Sequence, residues 1–469
     1  MTWGSFLTRS LSLIVVLPLI LNRLTTGEIS LWYLFSTIIG LQLLADLGFS
    51  PTFSRVIAYG MGGASDLNLK DFREIKKAGT PSPANWDTIE KICSTMRVIY
   101  SRLTLNLVIL LAIFGTWSLQ KPISEVTNGL SAWISWGVIL ATSTFTLQGN
   151  IYSSYLQGVN QIALLRRWEI MTSLGAILTS FLVLVLGGGL LGLILANQLW
   201  LVLNILRNCW LCRTVEGGRF KQFQTARIDK NVFESVWPSA WRSSLGVFMS
   251  YGIIQFSGIL YAQIGSSQVV ASYLLTLRLM EMVSQLSQAP LYSKLPLLAK
   301  LRSEGKVSEQ IRTAKKGMSL SYWTYVIGFV GLGLFAHPLL KLIGSNADFV
   351  SPLFWSILGL ARFFERYGAM HIQLYSTTNH IIWHTANGVS GVIYAIVSLS
   401  LLPKIGVYAF PIGLLTGYLG FYCWYSARYS YQAFGLKFWS FEKSVMIPPL
   451  FILLCYTAYS LLNSLGLIT

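Results

Sequence analysis

Charge is what this sequence has least of. Only 11% of its 469 residues are Asp, Glu, Lys or Arg, against about 25% in an average soluble protein. So few charges cannot coat a soluble globule of this length. Acids are scarcer than bases, 18 against 35. Five cysteines in the whole chain exclude a disulfide-built scaffold. No Walker A loop, Gly-rich nucleotide fingerprint or nucleophile elbow occurs, so no ATPase activity of its own is expected. What is abundant is apolar: 53% hydrophobic residues, with 16 Trp, 22 Tyr and 25 Phe, which also excludes disorder. The composition is that of a polytopic membrane protein.

Charge-free runs locate the spans. A helix needs about 20 apolar residues to cross ~30 Å of hydrocarbon. Residues 170–206 hold no Asp, Glu, Lys or Arg, too long a run for one crossing, and Gly187-Gly188-Gly189 marks a turn inside it. Gly265-Ser266-Ser267 splits the run 243–277, and Asn379-His380 splits 367–403. Thirteen spans follow, near 4–22, 29–55, 97–119, 129–157, 167–186, 190–211, 237–263, 268–292, 317–340, 349–377, 381–402, 405–427 and 444–466. None alternates as a barrel strand would, so the fold class is all-α. The first apolar stretch, Leu11 to Leu21, is followed by Asn22-Arg23-Leu24 rather than a small-residue cleavage site, and is expected to be a retained span.

Loop charge orients the bundle. The loops after even-numbered spans hold 25 Lys and Arg; those after odd-numbered spans hold Arg23, Lys121, Lys341 and Lys404. Basic residues gather on the cytoplasmic side, which puts the N-terminus and the even loops in the cytoplasm. The net charge of +17 is mostly this bias. Because the cations sit in separate loops between spans, a nucleic-acid-binding stripe is not expected.

Six arginines fall inside predicted spans: Arg9, Arg102, Arg242, Arg278, Arg362 and Arg366. A cation at the bilayer centre costs at least ~2.5 kcal/mol, so these should face the bundle interior. Only Asp46, Glu281 and Glu365 lie at comparable depth to pair with them. Arginine stays charged when buried and presents a planar fork that fits phosphate. Two plainer roles stand beside this one: Arg9 could snorkel to the surface, and Arg362 and Glu365, at i,i+3, could neutralise each other. Arg278, Glu281, Gln285, Gln288 and Tyr292 form one polar stripe at helical spacing. Ser143, Thr146, Asn150, Ser153 and Gln157 form another, and Arg362, Arg366 and Gln373 a third. Stripes of this kind line a wet cavity or join helices by hydrogen bonds.

Other motifs carry less. Cys209 and Cys212, a C-W-L-C ending an apolar helix, read as inert thiols rather than a redox pair. His380 and His384 sit at i,i+4 without a nearby Glu or Cys and, with His371, read as hydrogen-bonded or interfacial rather than metal-binding. Trp32, Tyr33, Trp117, Trp133, Trp136 and Trp439 suit interfacial belts.

The halves of the chain repeat. Residues 31–55 align without a gap on 270–294, with Pro51 on Pro290, Ser54 on Ser293 and Arg55 on Lys294. Gln42 and Asp46 then fall opposite Glu281 and Gln285, and Thr8-Arg9-Ser10-Leu11 is similar to Trp241-Arg242-Ser243-Ser244-Leu245. Six spans separate the copies, so two six-helix lobes share one orientation: 1–215 and 237–430, joined by a cytoplasmic linker 216–236 and followed by an additional span in 431–469. Substrate sites in repeated transporters lie between repeats near the midplane.

The run from Leu44 to Arg55, Leu-Ala-Asp-Leu-Gly-Phe-Ser-Pro-Thr-Phe-Ser-Arg, resembles the polysaccharide transporters that flip lipid-linked oligosaccharides. They belong to the multidrug/oligosaccharidyl-lipid/polysaccharide exporter superfamily. The resemblance covers the whole chain in span pattern, although the typical core has twelve helices. It implies a MATE-like V-shaped bundle, alternating access, and an undecaprenyl-diphosphate-linked glycan for O-antigen, capsule or exopolysaccharide assembly. It also implies the bacterial inner membrane, with a polysaccharide polymerase and a chain-length regulator as partners beside membrane lipid. In related lipid II flippases, arginines of the first, second and eighth helices meet the diphosphate. Arg9 and Arg278 match by position, and Arg55 lies at the end of the second span.

No cofactor is expected beyond coupling to a H⁺ or Na⁺ gradient. Glu281, one turn from Arg278, is the candidate coupling group, though a plain intrahelical ion pair explains it equally. Glu365 suits a counter-charge and Asp46 a gate. Two other functions compete: a multidrug antiporter of the same fold, which should carry interior acids, and a membrane glycan polymerase or ligase, which should carry a large external loop. The topology is testable. A cysteine at Asn68, in the loop with Lys70, Arg73, Lys76, Lys77 and Lys91, should resist an impermeant thiol reagent in intact cells and react after permeabilisation.

Overall fold

A computed structural model of the chain describes residues 15–63, 83–223, 227–303, 305–378, 380 and 382–464. Arg9 and the start of the first predicted span lie outside them. Every regular element among the described residues is helical. The chain divides into two units, Met1–Leu245 and Gly246–Thr469.

Unit 1 runs through α1 (residues 15–23), α2 (Thr26–Ala45), α3 (Phe49–Met61), α4 (Trp86–Ser124), α5 (Gly129–Gly158), α6 (Ile162–Val185), α7 (Gly189–Cys212) and α8 (Lys230–Val247). Local chemistry explains the starts. Thr25 and Glu28 form a reciprocal capping box on α2. The side chains of Asn85 and Asn128 accept from Thr88 N and Ser131 N at the heads of α4 and α5. The three-glycine turn forms between α6 and α7, with Gly187 and Gly189 at φ +79° and +59°.

The second predicted span is not one helix. It breaks between Ala45 and Phe49, where Leu47 and Gly48 take φ +49° and +67°. This corrects the expectation of a continuous helix over 29–55. In the repeat, Leu286 and Ser287 stand opposite Leu47 and Gly48, and there the helix runs unbroken from Ser267 to Tyr292. Glycine takes the left-handed region at no steric penalty and serine does not, which favours the break at Gly48 over its counterpart.

Unit 2 continues through a π-helical turn (Phe248–Gly252) into α9 (Ile253–Ile264). It goes on with α10 (Ser267–Tyr292), α11 (Leu295–Ser303), α12 (Val307–Leu342), α13 (Pro352–Ser376) and α14 (Trp383–Ile405). The last four are α15 (Ala409–Gly417), α16 (Cys423–Phe434), α17 (Phe438–Glu442) and α18 (Ile447–Ser464). A π-helical turn, Tyr418–Tyr422, makes α15 and α16 one span. The 36 residues of α12 reach about 54 Å, well beyond the hydrocarbon and beyond the predicted 317–340.

The polytopic membrane class holds. Seven helical stretches among the described residues are individually long and apolar enough to cross a bilayer, and one of them, Trp383–Phe434, contains two predicted spans. Exposure fits a lipid environment. On α6 only Leu165, Ser180 and Leu184 are buried, while Met171, Leu174, Leu178 and Leu182 stand exposed. In water such a face would be an aggregation site; in lipid it is solvated.

Close packing in unit 2 rests on small residues, as expected where lipid removes the hydrophobic drive between helices. A Cβ on Gly417 would lie 2.6 Å from the Ser390 carbonyl oxygen of α14, whereas one on Gly420 meets nothing within 4 Å. Gly417→Val should therefore destabilise the purified protein by about 1–3 kcal/mol, seen as a lower melting temperature in detergent. Gly420→Ala should leave that temperature unchanged.

Candidate functional site

The break between α2 and α3 is built around a carboxylate. Asp46 is buried and accepts hydrogen bonds from the Tyr100 hydroxyl of α4 at 2.7 Å, Asn150 Nδ2 of α5 at 2.9 Å and Ser50 N at 3.0 Å. An anion there also meets the positive end of α3. Gln42 donates to Ser143 Oγ at 2.6 Å, and Ser50 and Ser154 share a 2.9 Å hydroxyl contact. The polar stripe of the fourth span thus meets the polar face of the second. Asp46 pairs with no arginine among the described residues, and Arg9 lies outside them. Its oxygens are occupied from α4 and α5, so it acts as a junction of three helices.

Unit 2 carries a second ladder, between α10 and α13. Arg278 reaches Glu281 at 3.4 Å, and Gln285 Nε2 donates to the same carboxylate at 3.1 Å. Arg366 is 1% exposed and lies 3.3 Å from Glu365. The Gln288 amide oxygen, turned toward Arg366, accepts from both terminal nitrogens at 3.1 and 3.2 Å. Gln373 Nε2 donates to the Tyr292 hydroxyl at 3.3 Å. Glu365 therefore turns to its chain neighbour Arg366 and not to Arg362. The half-buried Arg362 keeps a buried Nε with no hydrogen-bond partner among the described residues. Three guanidinium groups on these helices face two carboxylates.

The other spanning arginines among the described residues are not in a unit's core. Arg102 on α4 and Arg242 on α8 are exposed, with no ion-pair partner among the described residues, and the Arg278 side chain is 46% exposed. Among the described residues, burial within a unit is seen only for Arg366 and the half-buried Arg362. Long side chains at helix surfaces need not enter the core to reach a polar phase.

Two groups were not anticipated. His371 of α13 and Glu442 of α17 are both fully buried, with Nε2 and Oε1 3.0 Å apart. The Tyr431 hydroxyl donates to the same oxygen at 2.8 Å and contacts the Tyr367 hydroxyl at 2.8 Å. His371 is thus hydrogen-bonded, as read, but its partner comes from the stretch between the predicted spans 405–427 and 444–466. Tyr100 was missed because a tyrosine in a span is first read as a belt residue. The helical register that places it toward Asp46 needs the α2–α3 break.

Remaining motifs resolve simply. Cys212 is buried, its thiol 3.4 Å from the Tyr152 carbonyl, and Cys209 is half-buried. No group of three metal-ligating side chains occurs among the described residues. Trp117, Trp133 and Trp439 are exposed as belt residues would be, but Trp136 is buried and donates to Thr116 Oγ1 at 2.9 Å, so it is a packing residue.

No family model and no curated sequence matches the chain significantly. Solved structures do. An inward-facing multidrug resistance MATE family transporter of the MOP superfamily superimposes with a TM-score of 0.61 at 12% identity, covering 92% of this chain and 99% of that one. The lipid II flippase MurJ, in an inward closed conformation, gives 0.57 at 13% identity over 99% of each chain. A point mutant of the Vibrio cholerae MATE transporter VcmN gives 0.52 at 14% identity over 92% and 98%. The chain shares their fold.

The Asp46 junction makes its own prediction. Asp46→Ala leaves the Tyr100 hydroxyl and Asn150 amide without their acceptor, and should destabilise by about 1–3 kcal/mol, read as a lower melting temperature in detergent. Asp46→Asn keeps one acceptor oxygen and should lose less.

Proposed function

We propose that the chain translocates an anionic lipid-linked glycan across a bacterial inner membrane. The substrate class is an undecaprenyl-diphosphate-linked oligosaccharide, moved from the cytoplasmic to the outer leaflet for surface polysaccharide assembly. The observation that carries this reading is the excess of arginine over carboxylate on apolar helices. On α10 and α13, Arg278, Arg362 and Arg366 outnumber Glu281 and Glu365, and unit 1 adds exposed Arg102 and Arg242. Cations held at such depth are expensive unless an anion or water meets them. Arginine forks match a diphosphate bidentately. The fold shared with a lipid II flippase is compatible with such cargo.

Arg278 is the residue best placed to engage it. It is the most accessible arginine of the α10–α13 ladder, and its 3.4 Å contact with Glu281 is long enough to yield to a better anion. A diphosphate on Arg278 would release Glu281, which could then take a proton or Na⁺. That exchange is a route for coupling transport to an ion gradient.

A second reading, a multidrug antiporter, draws on the MATE neighbours and on buried Asp46, since a cationic drug needs an acid. Three hydrogen bonds already occupy that acid.

Transport of a fluorescent undecaprenyl-diphosphate glycan in reconstituted vesicles separates the readings. Arg278→Ala should abolish it and Arg278→Lys reduce it at unchanged protein level, because lysine keeps charge without the fork. Glu281→Gln should lose dependence on the ion gradient. Full transport by Arg278→Ala would overturn the assignment of Arg278. Export of cationic dyes without glycan movement would favour the antiporter.

A further inference from the structure

Unit 1 holds a cavity that the transport reading does not use. It measures about 670 Å³, and among its lining residues are Arg97 of α4, Gln148 and Tyr152 of α5, Arg213, which follows α7, and Lys221 of the succeeding turn. Among the described residues, three cations line it and no carboxylate does. None of Arg102, Arg242, Arg278, Arg362 and Arg366 contributes.

The site is built. After α7 the chain folds back through Glu216, Gly217 and Gly218, all at positive φ between +52° and +74°. This return seats Phe220 against Tyr155, with ring centroids 4.7 Å apart, and Phe223 against Trp86 at 6.5 Å. Arg97 donates to the Phe223 carbonyl and lies 5.4 Å from the Phe220 ring centre. That holds one guanidinium in place with most of its five N–H donors uncommitted to this bond. Arg213 and Lys221 are exposed, and the neutral side chains of Ser101 and Gln148 also line the cavity. The cavity lies at the Lys/Arg-rich ends of the third, fourth and sixth spans, the side where anionic headgroups gather.

We propose that this cavity binds a phosphate group through Arg97, Arg213 and Lys221. The volume accommodates a phosphate together with a polar substituent such as glycerol. The group can come from the headgroup of an anionic phospholipid or from a soluble phosphate. The inference stands apart from the transport reading, because none of its residues is assigned to cargo.

The test uses the full-length protein, purified in detergent and stripped of lipid. Phosphatidylglycerol, phosphatidylcholine and sodium pyrophosphate are added separately. Adducts are counted by native mass spectrometry and melting temperature is followed. Phosphatidylglycerol should bind and raise the melting temperature, and phosphatidylcholine should not. Arg213→Gln with Lys221→Gln should weaken that binding about tenfold or more, and leave the ligand-free melting temperature unchanged. If that variant does not fold, Gln148→Glu, which puts an acid in the cavity, should weaken binding in the same sense. Pyrophosphate binding that both variants weaken, without phosphatidylglycerol binding, supports the site and assigns it to a soluble phosphate. Equal binding of the two lipids, or anion binding insensitive to the variants, would overturn it.

Discussion

Hydrocarbon forms no hydrogen bonds, so polar groups that enter it must be met by the protein itself. In both units, much of the polar contact between helices follows from that one constraint. The backbone meets it by becoming helical through most of the described spans, the break at Leu47–Gly48 apart. Two polar networks stand out, one in each copy of the repeat.

The networks solve the problem differently. In unit 1 the polar face belongs to a broken helix, and the break places Asp46 where Tyr100, Asn150 and Ser50 N converge. A carboxylate with three donors fits stable placement at a helix start. In unit 2 the corresponding helix is continuous, and its stripe of Arg278, Glu281, Gln285 and Gln288 runs along α10 beside Glu365 and Arg366 of α13. Here charges meet charges, and positive charge exceeds negative. The first arrangement is a carboxylate held by neutral donors, and the second a row of charges held by charges and amides.

The basic end of unit 1 follows a third rule. Outside hydrocarbon, cations need no internal partner, and Arg213 and Lys221 stay exposed. Aromatic packing of Phe220 and Phe223 shapes that end and fixes Arg97 beside them. The buried pair His371–Glu442 shows the opposite case, a polar contact sealed by Tyr431 and Tyr367 at the junction of α13, α16 and α17.

Composition and charge-free runs alone determined that this is an all-helical, multi-pass membrane protein. They also placed the turns at Gly187–Gly189 and Gly265–Ser267, because hydrophobic length and glycine act locally. The stripes on the fourth, eighth and tenth spans were legible for the same reason: helical periodicity puts i, i+3 and i+7 on one face. What each stripe touches was decided only by tertiary structure. Sequence offered Asp46 to the arginines, and packing gave it to Tyr100 and Asn150. It set Glu365 beside both Arg362 and Arg366 as a counter-charge, and packing brings it to Arg366 with Gln288 alongside. It left Glu442 between two predicted spans, and the fold buried it on His371. Partner choice depends on how helices rotate and cross, and on a break that two residues of positive φ introduce; spacing along one helix carries no information about the face of the next.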